Sequence, residues 1–105
     1  MNELFPIFLK LDRLNTLVVG GGNVALEKVS ALLRNSPKAR ITMVAPMFRT
    51  ETLDYLNDFP HVEICERGFE LMDLEGRDLV ICATDNRLLH EEIKEVCKER
   101  HLLCN

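Results

Sequence analysis

Apolar residues along this chain alternate between two spacings. Leu17-Val18-Val19, residues 39–45 (Ala-Arg-Ile-Thr-Met-Val-Ala) and residues 78–83 (Asp-Leu-Val-Ile-Cys-Ala) are short, nearly unbroken apolar runs. Runs of this length, bounded by turn residues, read as strands; the continuous one at 78–83 suits a parallel strand buried on both faces. Between the runs, apolar residues recur three and four apart. Val24, Ala25, Val29, Leu32 and Leu33 do so over 23–35; Leu53, Leu56 and Phe59 over 50–58; Leu88, Leu89, Ile93, Val96 and Cys97 over 86–100. That spacing gives a helix one apolar face. The pattern predicts strands at 16–20, 39–45, 62–65, 78–83 and 102–105. It predicts helices at 23–35, 50–58 and 86–100, with a single helical turn at 71–74. Asn35-Ser36-Pro37 stops the first helix. Thr50 is expected to cap the second, which Pro60 closes. Residues 12–15 read as a turn. Residues 4–11 are apolar and β-prone, but Pro6 bars an ordinary central strand, so this segment is expected to cover a sheet edge or pair loosely beside it.

Strands alternating with helices imply a parallel sheet with right-handed crossovers. The first crossover carries the most informative stretch, Thr16-Leu17-Val18-Val19-Gly20-Gly21-Gly22-Asn23-Val24-Ala25. Gly20, Gly22 and Ala25 fit G-x-G-x-x-G/A between a strand and a helix. The first glycine allows the sharp turn, the second lets a pyrophosphate approach the backbone, and the small third residue lets the helix pack on its strand. The helix N-terminus then faces the anion. The alternative is a glycine-rich turn in an α/β domain whose ligand site lies elsewhere. With a dinucleotide-binding first half, the expected fold is a Rossmann-type doubly wound parallel sheet, strand order 3-2-1-4-5, in a three-layer αβα domain spanning residues 1–105.

In such a sheet ligands sit beyond the carboxyl ends of the strands. Gly20 to Val24 follow the first strand, Pro46, Met47, Phe48 and Arg49 the second, and Glu66 and Arg67 the third. Thr84, Asp85, Asn86 and Arg87 follow the fourth, and Asn105 lies at the end of the fifth. Ala45 and Pro46 stand where an acidic residue would hold the ribose hydroxyls of NAD, so backbone groups near Pro46 and Met47 are expected to serve. Arg49 hints at a 2′-phosphate but lies several residues past the strand, and NAD is favoured over NADP. Thr84 and Asp85 fall beside the glycine turn. Asp85 either caps the last helix or contacts cofactor or substrate. Arg49, Arg67 and Arg87 are either three cations facing one crevice, suited to a multi-carboxylate ligand, or three separate solvated side chains.

The net charge of −4 argues against nucleic acid as a partner. No apolar run is long enough to span a membrane and no signal peptide is evident, so a cytoplasmic location is expected. Cys65, Cys82, Cys97 and Cys104 form no C-x-x-C and no zinc spacing, and read as reduced core thiols. His61, His90 and His101 show no metal-ligand spacing, and no metal site is expected.

Four blocks together resemble one family. They are Leu4-Phe5-Pro6-Ile7-Phe8-Leu9; Val18 to Ala25 with Lys28; Val44-Ala45-Pro46; and Ala83-Thr84-Asp85-Asn86. Across the whole chain they look like the N-terminal domain of siroheme synthases, the precorrin-2 dehydrogenase and sirohydrochlorin ferrochelatase family. The resemblance implies NAD-dependent oxidation of precorrin-2 to sirohydrochlorin, a tetrapyrrole substrate, iron insertion in some members and a homodimer for the full-length protein. It implies cofactor contacts at Gly20, Gly21, Gly22, Asn23, Val24, Pro46 and Met47. Cys104-Asn105 matches the start of the segment in which the family carries its acid/base aspartate. That aspartate and the dimerisation region would lie beyond Asn105, so these 105 residues are expected to bind NAD without turning over substrate. Edge pairing through the fifth strand is expected to favour dimers. The competing reading is a non-catalytic dinucleotide-binding regulatory module.

Overall fold

The computed structural model describes residues 8–105. A short 3-10 turn at Leu11–Arg13 leads into β1 (Asn15–Val19). Then follow α1 (Asn23–Asn35), β2 (Arg40–Ala45), α2 (Thr50–Leu56), β3 (Glu63–Glu66), a second 3-10 turn (Leu71–Leu74), β4 (Leu79–Cys82), α3 (Arg87–Glu99) and β5 (Leu103–Cys104). The five strands form one sheet in the order β3-β2-β1-β4-β5. Every pairing is parallel. Val19 stands opposite both Val44 and Cys82, so the three central strands end level. The expected Rossmann order and three-layer arrangement are present. The reading of residues 4–7 as a sheet-edge segment lies outside the described residues.

The layers follow from the period of two along each strand. Val18 turns to one face of the sheet and meets Ala25, Val29 and Leu33 of α1, Ile41 and Met43 of β2, and Leu56 of α2. Leu17 and Val19 turn to the other face and meet Val44, Val80, and Ile93 and Cys97 of α3. Each fully buried aliphatic side chain, such as Ile93, contributes roughly 1.5–3 kcal/mol relative to exposure. The chain steps outward from β1 through β2 to β3 with both helices on the first face. It then crosses to β4 and β5 with α3 on the second. The reversal between β1 and β4 opens a cleft at the strands' carboxyl ends.

Several local expectations need correcting. Leu88 is 83% exposed rather than inward. It lies off the stripe formed by Leu89, Ile93, Val96 and Cys97, five residues before Ile93 and about 140° away around the helix. Thr50 is the first helical residue of α2, not its cap; Arg49 holds that position with no side-chain capping bond. Asp85 does not cap α3. Asn86 does, its side-chain oxygen accepting from the Leu89 N–H at 3.1 Å. Val24 points away from the α1 core and is half exposed.

Candidate functional site

The cleft at the carboxyl ends has a volume of about 830 Å³. Its floor is the turn from β1 into α1. Gly20 to Val24 line it together with Ala45, Pro46, Met47 and Arg49 after β2, and Ala83, Thr84, Asp85 and Asn86 after β4. Gly68, Phe69 and Leu89 complete the wall, and no sequence signal pointed to these three.

The three glycines serve different purposes. Gly20 has φ +139°, and a Cβ on it would lie 2.5 Å from the Ala83 carbonyl oxygen. Its N–H donates to the Val44 carbonyl at 2.9 Å, tying the turn to β2. A Cβ on Gly21 would lie 2.3 Å from the Met47 carbonyl oxygen. Packing within the protein therefore accounts for both. A Cβ on Gly22 would meet only the Arg49 Cδ, at 3.9 Å. Nothing in the fold demands glycine there, but the position lines the cleft, where a bound group would meet the backbone. Gly22 is also the N-cap of α1 and provides no side-chain bond. The N–H groups of the first turn of α1 thus lack a side-chain partner, as an anion site at a helix start requires. Ala25, the third residue of the motif, is fully buried, as close helix-to-strand packing needs.

Thr52 of α2 braces the turn from behind. This fully buried side chain donates its hydroxyl to the Gly21 carbonyl at 3.1 Å, with the Gly22 carbonyl 3.4 Å away. The Arg49 N–H also donates to Gly21, at 2.9 Å. These bonds span about thirty residues of sequence, and no local pattern announces them.

The three arginines do not converge. Arg49 lines the cleft and pairs with Glu51 at 3.1 Å, both side chains half exposed. Arg67 is committed to Asp73 through two bonds of 2.9 and 2.7 Å and does not line the cleft. Arg87 opens α3, also outside the lining. Asp73 is buried and accepts from the Glu70 N–H as well. The Arg67 bonds hold its carboxyl below the ordinary value.

Asp85 is the single carboxylate among the lining residues. Thr84 beside it accepts from the Asn86 N–H at 3.1 Å, which folds this loop back on itself. Behind the loop, the Cys82 and Cys104 sulfurs lie 3.9 Å apart across β4 and β5. All four cysteines are free thiols; Cys97 is buried and the other three are partly so. Burial, with a contribution from Cys104, pushes the Cys82 thiol up to about 12 and Cys97 to about 11. Such thiols are packing groups at neutral pH, not nucleophiles. Among the described residues no group of three or more His, Cys, Asp or Glu side chains is arranged to hold a metal ion. No helix among them is long and apolar enough to cross a membrane.

A five-stranded parallel sheet in this order, with a glycine turn feeding an uncapped helix at its switch point, defines an NAD(P)-binding Rossmann module. Residues 7–105 match the family described as "Putative NAD(P)-binding". The chain is 45% identical over 103 residues to a siroheme synthase of Thioalkalivibrio sulfidiphilus, covering 98% of this chain and 20% of that protein. It is 42% identical over 103 residues to a siroheme synthase of Pseudoalteromonas atlantica, covering 98% of this chain and 22% of the relative. The chain belongs to the siroheme synthase family and spans about a fifth of the length of these relatives. Among solved structures it superposes on SirC, a precorrin-2 dehydrogenase, with a TM-score of 0.78 at 23% identity, over 97% of this chain and 48% of that one. That likeness shows the shared fold.

Proposed function

We propose that this chain is the cofactor-binding part of an NAD-dependent precorrin-2 dehydrogenase, oxidising precorrin-2 to sirohydrochlorin. The observation that carries the reading is Gly22, a glycine that no protein contact requires, set at the uncapped start of α1 and lining the cleft. Gly20, Gly21, Gly22, Asn23 and Val24, which line the cleft, would hold the pyrophosphate. Backbone groups at Pro46 and Met47 would hold the adenosine ribose, in place of the absent acidic residue. NAD is preferred over NADP because Arg49, the first cation after β2, stands four residues past the strand. Thr84, on the β4 side of the same cleft, would contact the cofactor there.

When bound, the nicotinamide supplies the hydride acceptor for the reaction. The protein's part is to orient both partners, exclude water and take up the released proton. Asp85 lines the cleft, and α3 does not use it as its cap, so it is free to touch cofactor or substrate. The acid/base aspartate that the resemblance implies would complete the site from outside these residues. Arg49 offers a cation at the rim to the tetrapyrrole's carboxylates, whereas Arg67 is spent on Asp73. Homodimerisation, iron insertion and a cytoplasmic location belong to the same proposal for the whole protein.

The test is isothermal titration of the 105-residue chain with NAD⁺ and NADP⁺, beside a Gly22→Asp variant. Binding of NAD⁺ that the variant abolishes supports the reading. Stronger binding of NADP⁺ would overturn the cofactor assignment, and no binding by the parent would remove the glycine turn as an independent site. Binding without precorrin-2 turnover in any longer form of the protein would favour a regulatory module instead.

A further inference from the structure

The opposite end of the sheet holds a second cavity, about 530 Å³ in volume, that shares no lining residue with the cleft. It lies on the α3 face, because Thr42 in its wall precedes Val44 of that core by two residues. The reason for it is topological. The chain crosses from β3 to β4 through a single 3-10 turn rather than a full helix, so among the described residues no helix covers the β2–β3 half of this face.

Four basic side chains converge there from three separate segments. Lys38 precedes β2, Arg40 opens it, His61 precedes β3, and Arg77 precedes β4. Glu63 is the single carboxylate in the lining. Asp78 lies nearby but is engaged by the Asn15 N–H at 2.8 Å. Among the described residues none of the four basic groups has a carboxylate partner within salt-bridge distance. On a chain of net charge −4, Lys38, Arg40 and Arg77 set against Glu63 and the nearby Asp78 leave this concavity with a small net positive charge.

One of the cations is held in place. Arg77 donates Nε to the Asp73 carbonyl at 2.9 Å and Nη1 to the Thr42 hydroxyl at 3.0 Å. Thr42 is largely buried, and Asp73 is itself fixed by Arg67 and the Glu70 N–H. The guanidinium plane is therefore set before any ligand arrives, which lowers the ordering cost of binding. Its Nη2 has no partner among the described residues.

The geometry points to a second ligand site, for a small polyanion carrying two or more phosphate or carboxylate groups. Like charges brought together repel unless an anion joins them, and guanidinium groups match both oxyanions with paired bonds. The volume falls in the range of small-molecule pockets, roughly 300–1,000 Å³. Overall acidity disfavours nucleic acid as the occupant.

The experiment titrates the ¹⁵N-labelled chain with pyrophosphate and, separately, citrate at matched ionic strength, following amide shifts. At least one titrant should shift residues 38–42, 61–63 and 77–78 saturably. Response to pyrophosphate alone identifies a phosphate ligand, to citrate alone a carboxylate ligand, and to both a site that reads charge. Shifts at residues 20–24 report the glycine turn separately, and Gly22→Asp should leave the second set intact. Arg40→Glu, at an exposed strand start, should weaken the second-site response roughly tenfold or more with an unchanged melting temperature. Lys38→Glu should do likewise. Shifts confined to residues 20–24, no saturable shift with either titrant, or full affinity in both variants would overturn the proposal.

Discussion

The Thr52 hydroxyl donates to the Gly21 carbonyl oxygen over 3.1 Å, so the first turn of α2 grips the turn between β1 and α1. Gly21 is held from both sides. Its carbonyl accepts from Thr52 and the Arg49 N–H, while its Cα abuts the Met47 carbonyl too closely to carry a side chain. The glycine turn is therefore rigid before a ligand arrives. Thr52→Val keeps the shape and removes the hydroxyl. Because the Arg49 N–H still satisfies Gly21, the stability cost should be about 1 kcal/mol. Dinucleotide affinity should fall several-fold as the turn loosens. Urea unfolding and isothermal titration check the two effects separately; unchanged affinity would confine Thr52 to a stabilising role.

The glycines separate folding from binding. Gly20→Ala places a Cβ at positive φ against backbone and should cost about 1–3 kcal/mol, lowering the melting temperature. Gly21→Ala meets the Met47 carbonyl and should do the same. Gly22→Ala should melt within a degree or two of the parent, yet bind dinucleotide more weakly by an order of magnitude or so, since its new methyl group occupies the cleft. Thermal melts with and without NAD⁺ make the comparison. A Gly22→Ala variant that binds like the parent would show that the ligand does not approach that Cα.

Sequence pattern carried the framework because the framework is built from local signals. The run at 78–83 and the three-and-four spacing from Ala25 to Leu33 each settle their own element, and the glycine motif settles which strand lies at the centre. What the pattern missed depends on contacts across the fold. Thr52 reads as one more polar residue of a short helix until Gly21 is placed against it. Arg67 follows a strand, as a crevice cation would, but Asp73 lies six residues on and claims it. Asp85 and Asn86 are equally good caps by residue type, and only the backbone path after β4 decides for Asn86. Leu88 adjoins the true stripe, and a window that counts apolar residues cannot separate it from Leu89.

Cys82 and Cys97 should be slow to react. Cys82 and Cys97, with thiols pushed up to about 12 and 11, carry very little thiolate at pH 8. Titration of the folded chain with an aromatic disulfide reagent should leave these two unmodified while denaturant exposes all four. Mass spectrometry of the digested product assigns the sites. Rapid labelling of Cys97 in the native chain would contradict its full burial.

Acid should loosen the crossing between β3 and β4 through Asp73. Its carboxylate accepts two bonds from Arg67 and one from the Glu70 N–H, and these hold its pKa below the ordinary 3.8. A group whose folded pKa is depressed stabilises the fold fully above its unfolded pKa. That contribution is lost as pH falls through the unfolded value toward the folded one. The parent should therefore lose stability from about pH 5 downward. Asp73→Asn keeps the size but surrenders the charge-assisted bonds, and should be less stable by about 2 kcal/mol at pH 7. The gap between the two proteins should narrow between pH 5 and pH 3, because the Asp73 carboxyl takes up a proton in the parent's unfolded chain while the variant has no carboxyl to protonate. Urea unfolding at half-unit pH intervals measures it. Parallel curves would mean that the Asp73 charge adds nothing to the fold. A closing gap would place the charge at the turn that stands in for a helix between β3 and β4, the same turn whose Asp73 carbonyl orients Arg77 in the second cavity.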